Sequence, residues 1–336
     1  MKKTLFAALA LAFVASCSNE EVVEMAQKEA IGFDNAFVNN STRSVIDPSY
    51  TNEKLFSDFA VFGFVENNEL FNGTQVKKGL VNAEQNIHNS NWKYNGTQYW
   101  IAGANYNFAA VAPYTNPKWT KTSASTSNVV LSFTNDGIQD LVYAKTDQIE
   151  GKASGNVLVG FTFNHALSKV KFSFENLYYA SNATIKVKDI QITNAFSTAN
   201  VTLTKTAEWA DQGGNELTLN FGNATADDAE SNEALAYANG QLESYNELLL
   251  IPGKPADGYI VKFKVELYIG NAETAVKSYD HEVTITNFTP EAGKAYDILA
   301  KITPENIDPE HKQEPIEFTV TTLNGWGTPE EVSANN

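Results

Sequence analysis

The one thiol in this chain sits where covalent lipid chemistry is expected. Cys17 is the only cysteine among 336 residues. It closes an apolar run, Thr4 to Ala15, that follows the basic start Met1-Lys2-Lys3. The small residues of Val14-Ala15-Ser16-Cys17 fit a signal peptidase that cuts in front of a cysteine whose sulfur has been acylated. The freed amine of Cys17 then takes a further acyl chain, and two chains anchor stably where one binds only marginally. The apolar run is shorter than the roughly 20 residues that span a bilayer. Residues 1–17 therefore read as a lipoprotein signal peptide with its lipobox, and lipid at Cys17 holds the chain on a membrane surface without spanning it. A buried core cysteine is the bland alternative, and the position at the end of a signal-like segment argues against it.

Other reactive groups lack the spacing that catalysis or metal binding needs. His88, His165, His281 and His311 are not paired at ligand spacing, so no zinc site is expected. No nucleophile elbow, P-loop or dinucleotide fingerprint occurs. Asn135-Asp136-Gly137 and Asp227-Asp228 read as solvated turns, not calcium loops. With 40 carboxylates a glycosidase-like pair stays open as a rival, but nothing marks one out. No catalytic residue, metal or cofactor is expected. Processing removes Lys2 and Lys3 and takes the formal net charge from −16 to −18. Such a surface disfavours nucleic acid and anionic headgroups.

The elements that position these residues read as β-structure. Residues 18–29, with Glu20, Glu21, Glu24 and Glu29, read as a flexible acidic tether, with an export signal as the alternative. From residue 30 apolar residues alternate with polar or small ones. Ile31, Phe33 and Phe37 form a first strand, and Phe59, Val61, Phe62 and Phe64 a second. Asn95-Gly96, between Trp92-Lys93-Tyr94 and Tyr99-Trp100-Ile101, predicts a two-residue hairpin. Its aromatic residues either cover a core or form a sugar-stacking platform. Thr115–Asn128 reads as a loop. Gly151-Lys152-Ala153-Ser154-Gly155-Asn156 has linker composition and predicts a boundary between domains at 30–150 and 157–336. The second half continues with strands, the cleanest at Tyr259–Tyr268. The pattern predicts an all-β protein of two tandem β-sandwich domains, with no disulfide to staple either.

At Phe163-Asn164-His165-Ala166-Leu167-Ser168-Lys169-Val170-Lys171-Phe172 the chain resembles the fimbrillin family of Bacteroidales, the type V pilins. Ile31-Gly32-Phe33, Thr42-Arg43-Ser44, Phe59-Ala60-Val61-Phe62-Gly63-Phe64, Trp92-x-Tyr94 with Tyr99-Trp100, Tyr106-Asn107-Phe108-Ala109-Ala110 with Pro113, and Trp326 follow in matching order. The resemblance implies transthyretin-like domains, lipoprotein export to the outer membrane and cell surface, and a place in fimbriae with other subunits as homo- or heteropolymer. It implies that an arginine-specific protease cuts between Arg43 and Ser44, in a polar loop, at the chain's only arginine. The strand carrying Ile31, Phe33 and Phe37 would then leave, and a donor strand from another subunit would fill the groove. Ile316, Phe318 and Val320 are the candidate donor; they equally suit the last strand of their own domain. Adhesion to a host or bacterial surface ligand is the expected role. The rival reading is a surface-anchored glycan-binding lipoprotein that stacks sugars on exposed Trp92 and Trp100.

Overall fold

The computed structural model describes residues 29–38, 57–78, 92–178, 182–214, 216–225, 240–307 and 316–323, with side chains in the first stretch to residue 34. In chain order the strands are β1 (Phe33–Val38), β2 (Asp58–Val65), β3 (Asn68–Lys78), β4 (Trp92–Lys93), β5 (Asn105–Ala112), β6 (Trp119–Ala124), β7 (Val129–Thr134) and β8 (Val142–Lys145). They continue with β9 (Ile149–Glu150), β10 (Val159–His165), β11 (Ser168–Asn176), β12 (Ala183–Ala195), β13 (Thr198–Leu203), β14 (Ala207–Gly213) and β15 (Leu217–Gly222). The last are β16 (Ala224–Thr225), β17 (Gln241–Ser244), β18 (Leu248–Leu250), β19 (Tyr259–Ile269), β20 (Lys277–Ile285), β21 (Ala295–Ile302) and β22 (Phe318–Leu323), with one helical turn α1 (Pro304–Ile307) before β22. The fold is all-β, as expected. Among the described residues no helix is long and apolar enough to cross a membrane.

The N-terminal unit is a sheet in the order β2-β3-β4-β1-β10-β8-β5, and β5 pairs back onto β2. That extra pairing closes the sheet into a ring, which removes its edges. Ile31, Phe33, Phe59, Val61, Phe71, Trp92, Tyr94, Trp100, Tyr106, Phe108, Phe161 and Phe163 fill its interior. β2 and β5 are buried on both faces. Their outward residues Ala60, Phe62, Phe64, Ala109 and Val111 pack under a second sheet, β14-β13-β7-β6.

The C-terminal unit is a sandwich. The sheet β16-β17-β11-β21-β22 faces the sheet β15-β12-β19-β20 across a core that includes Phe172, Phe174, Phe221, Tyr259 and Phe263. The alternation of β19 survives intact, with Tyr259, Val261, Phe263, Val265 and Leu267 buried.

The sheets do not part at residues 151–156. β10 lies beyond that linker and yet pairs with β1 and β8 in the ring. β13 pairs with β7, so the covering sheet takes two strands from each half. The chain leaves the ring at His165-Ala166-Leu167, one strand later than linker composition predicts. Composition marks a polar loop; it does not say which sheet the next strand joins.

Asn95-Gly96 makes a tight bend with Gly96 at φ 86°, but its arms do not form the predicted hairpin. Trp92 pairs with Phe33, and Tyr99 bridges Ala30. The first arm lies between β3 and the first segment of the chain, and the second pairs with that first segment. The loop expected at 115–128 contains β6, whose side chains are mostly exposed apart from Trp119.

Candidate functional site

The site of interest is the berth of the first strand. β1 runs parallel to β10, with Phe33 opposite Val159 and Val38 opposite Phe163, and antiparallel to β4. It is the stave between those two, so the ring exists only while β1 is seated.

Phe33 is fully buried. Its ring lies 5.5 Å from Phe71, 5.5 Å from Tyr94, 6.1 Å from Phe108 and 5.8 Å from Phe161, the first three edge-on and the last stacked. Edge-on and offset pairs are the favourable arrangements for rings with negative faces and positive rims. Ile31 is buried beside it. Its N–H donates to the Gln98 carbonyl at 2.7 Å, and the Tyr94 hydroxyl donates to the Ile31 carbonyl at 2.8 Å. The Val159 N–H donates to the Gly32 carbonyl at 2.8 Å. Burial pushes the Tyr94 hydroxyl pKa up, against the Gln98 N–H bond that lowers it, so the phenol stays neutral and donates.

Glu29 holds the upstream end. Its carbonyl accepts the Trp100 N–H at 2.9 Å. Its Oε2 accepts the Asn156 N–H at 2.8 Å and Nδ2–H at 2.6 Å. This contact joins residues 127 positions apart, and no local pattern in the sequence signals it.

Ile31, just upstream of β1, and Phe33, its first residue, are buried in one groove. Phe37 lies on β1 opposite Thr162 past an irregularity in the pairing, and its side chain is outside the described residues. Cys17, Arg43 and Ser44, the tether through residue 28, Asp227-Asp228 and Trp326 are outside them too. Ile316, Phe318 and Val320 lie in the sandwich. β22 pairs antiparallel with β21, with Phe318 opposite Ala300 and Val320 opposite Ile298. It is the edge strand of its sheet. Ile316 is buried, while Phe318 and Val320 are half-buried against the core. The Phe318 ring lies 6.1 Å from Phe172 and 6.0 Å from Phe263.

The aromatic platform is overturned. Trp92 and Trp100 are each 6% exposed. Trp92 packs on Phe59 at 5.0 Å and Trp100 on Tyr106 at 4.6 Å, inside the ring. No sugar reaches either face, so glycan stacking on these two rings is excluded. Asn135 and Asp136 are committed to hydrogen bonds within the protein, and Asn135 Nδ2 also donates to the Leu249 carbonyl at 3.2 Å. Asn135 accepts the Gly137 N–H at 2.9 Å, and Asp136 accepts from Ile138 at 2.9 Å and Gln139 at 2.8 Å while facing Lys118 at 3.1 Å. Among the described residues no cluster of three or more His, Cys, Asp or Glu is arranged to hold a metal.

The segment around His165 is structural. His165 Nδ1 meets Asp140 Oδ2 at 2.5 Å. The Ala166 carbonyl accepts the Trp209 indole N–H at 2.8 Å, and Ser168 donates to the Glu291 carbonyl at 2.7 Å. It is the crossing point from ring to sandwich, pinned to both.

A ring that needs its first strand and a sandwich with a short edge strand define an all-β protein organised around strand pairing. The fimbrillin-like family model matches residues 42–326, and the chain belongs to the fimbrillin-like family. Its resemblance to that family is thus established over most of its length. Among solved structures it is similar to a proposed cell adhesion protein from Bacteroides uniformis, at 15% identity over 89% of this chain and 99% of that one, with a TM-score of 0.47. A proposed cell adhesion protein from Bacteroides ovatus is similar at 16% identity over 90% and 99%, with a TM-score of 0.46. No curated protein matches the chain.

Proposed function

We propose that the chain is a fimbrial subunit that reaches the outer-membrane surface as a lipoprotein through Cys17 and assembles by strand exchange, contributing to adhesion. An arginine-specific protease cuts between Arg43 and Ser44. Residues 17–43, carrying the lipid and β1, then leave, and a strand from another subunit takes the vacant berth. The observation that carries this reading is the seat of Ile31 and Phe33. They are buried core residues of the ring, yet they belong to a segment that one cut at the chain's single arginine separates from everything downstream.

Exchange of this kind is close to energetically neutral. The vacated berth exposes unpaired N–H and C=O groups on β10 and β4 and the rings of Phe71, Tyr94, Phe108 and Phe161. An incoming strand restores both the pairing and the burial. The edge strand β22 is the candidate donor, since an edge strand has one partner to give up. Its pairing with β21 equally suits a subunit that keeps β22 at home and caps or anchors a fibre.

The test is arginine-specific proteolysis of the purified mature protein. The expected products are a fragment ending at Arg43 and SDS-resistant oligomers that form a ladder. An Arg43→Ala variant is expected to stay intact and monomeric under the same treatment. Cleaved protein that remains a monomer at high concentration overturns polymerisation.

A further inference from the structure

The berth of β1 does more than accept apolar side chains. We propose that Asn156 and the Trp100 N–H form a subsite for a glutamate-bearing strand, and that its occupant after cleavage is Glu314-x-Ile316-x-Phe318 of a second copy of this chain. The proposal rests on the strand-exchange reading above.

The subsite is preorganised. Asn156 Oδ1 accepts the Lys152 N–H at 2.7 Å, and Nδ2 donates to the Lys152 carbonyl at 2.9 Å. These two bonds fix the amide with its oxygen turned away, so its NH2 group and the backbone N–H of Asn156 both face the carboxylate. Two donors converging on one Oε atom select an anionic acceptor. Two residues further on, the berth takes an isoleucine between the Gln98 carbonyl and the Tyr94 hydroxyl. Two residues beyond that it takes a phenylalanine among four rings. The groove therefore reads Glu-x-Ile-x-Phe.

That pattern occurs twice in the chain: Glu29-Ala30-Ile31-Gly32-Phe33, which occupies the berth, and Glu314-Pro315-Ile316-Glu317-Phe318. The order is the same, so the second copy's strand runs parallel to β10 as β1 does. Pro315 falls at the position of Ala30. The bonds flanking the Ala30–Tyr99 bridge use the Glu29 carbonyl and the Ile31 amide, so a proline between them keeps both. Glu317 takes the position of Gly32, on the face opposite Ile31 and Phe33 by strand alternation; Gly32 is itself buried, so whatever covers that face must give way to the longer side chain. Paired regularly with β10, Val320 falls opposite Phe161. One chain thus carries both a groove and a strand that satisfies it, which favours a fibre of identical subunits.

A peptide-exchange assay on Arg43-cleaved protein tests this. The probes are a synthetic peptide of residues 314–323 and its Glu314→Ala and Glu314→Lys forms; displacement of the 17–43 fragment and peptide affinity are measured. The wild-type sequence is expected to displace the fragment and to bind about 10- to 100-fold more tightly than the Glu314→Ala peptide, the range for hydrogen bonds to a charged acceptor. An Asn156→Asp protein, which sets a carboxylate against Glu314, is expected to invert the preference and favour Glu314→Lys. Equal displacement by the wild-type and Glu314→Ala peptides overturns the subsite and leaves strand exchange standing. No displacement by the wild-type peptide overturns both.

Discussion

Phe33 is the residue on which the ring depends most. It has no exposed surface and touches rings from β3, β5 and β10 and from the segment after β4. Phe33→Ala removes that ring and leaves a cavity among rigid aromatic neighbours, which costs about 3–5 kcal/mol. A clear drop in thermal midpoint is expected by calorimetry, with the intact chain releasing β1 more readily to proteases. His281 governs a different property. It is half-buried on β20 and stacks on Phe263 at 5.2 Å, and burial lowers its pKa despite the nearby Asp280 carboxylate. The fold thus holds it neutral, while the unfolded chain regains a value near 6.5. A histidine whose folded pKa is depressed contributes stability above the unfolded value and loses it as pH falls through about 6.5. Asp136 and Glu266 act in a lower window. Burial raises both, but hydrogen bonds outweigh it: at Asp136 from the Gln139 and Ile138 N–H groups and Lys118, at Glu266 from Tyr268 and Lys188. Their contribution is present above about pH 4 and fades as pH drops through their lowered folded values. Denaturant midpoints between pH 7.5 and 5.5 are therefore expected to fall in the wild type and to flatten in His281→Gln. An unchanged slope in the variant would remove His281 as the cause.

At the level of elements, β2 shows how tightly the ring is packed. Gly63 sits where a Cβ would come within 2.6 Å of Phe71 and 3.0 Å of Phe108. Gly63→Ala forces those rings off their seats at a cost of about 1–3 kcal/mol, and loss of near-ultraviolet aromatic ellipticity is expected before secondary structure is lost. An element with one wet face and one dry face was legible: β19 follows the alternation read along Tyr259–Tyr268. β6 and β14 were not. They are edge strands of the covering sheet with mostly exposed Thr, Ser, Lys, Asp and Gln side chains, so apolar periodicity has nothing to register. Pairing partners were equally hidden. The parallel ladders of β1 with β10 and β11 with β21 join segments over a hundred residues apart. The same holds for the site. The apolar character of Ile31 and Phe33 was legible, and both are buried. The grip of Asn156 on Glu29 was not, because a polar linker residue carries no mark of the carboxylate it will meet.

For the whole molecule, the question is whether ring and sandwich are separate folding units. A linker at 151–156 would predict two independent transitions. The architecture argues for one. β13 and β14 belong to the sandwich's stretch of chain but complete the sheet that covers β2 and β5. One continuous core draws Phe62, Val111 and Leu131 from before the linker and Leu167, Val201, Leu249 and Ala295 from after it. Trp209 ties the two together. Its indole N–H reaches the Ala166 carbonyl at 2.8 Å at the crossing point, and its ring packs edge-on against Phe133 of β7 at 5.7 Å. Melting the sandwich alone would strip the ring of half its cover and expose the outward faces of β2 and β5, so neither unit gains by unfolding first. Calorimetry of the mature chain is expected to give a single transition with a calorimetric-to-van't Hoff ratio near one, the signature of two-state behaviour. Trp209→Ala loses a hydrogen bond and part of a half-buried ring, about 2 kcal/mol. If the units are coupled, that loss lowers the one transition and moves near-ultraviolet and far-ultraviolet signals together. Two resolved transitions in the wild type, or a variant in which only one of two transitions moves, would show that the shared sheet does not bind ring and sandwich into one cooperative unit.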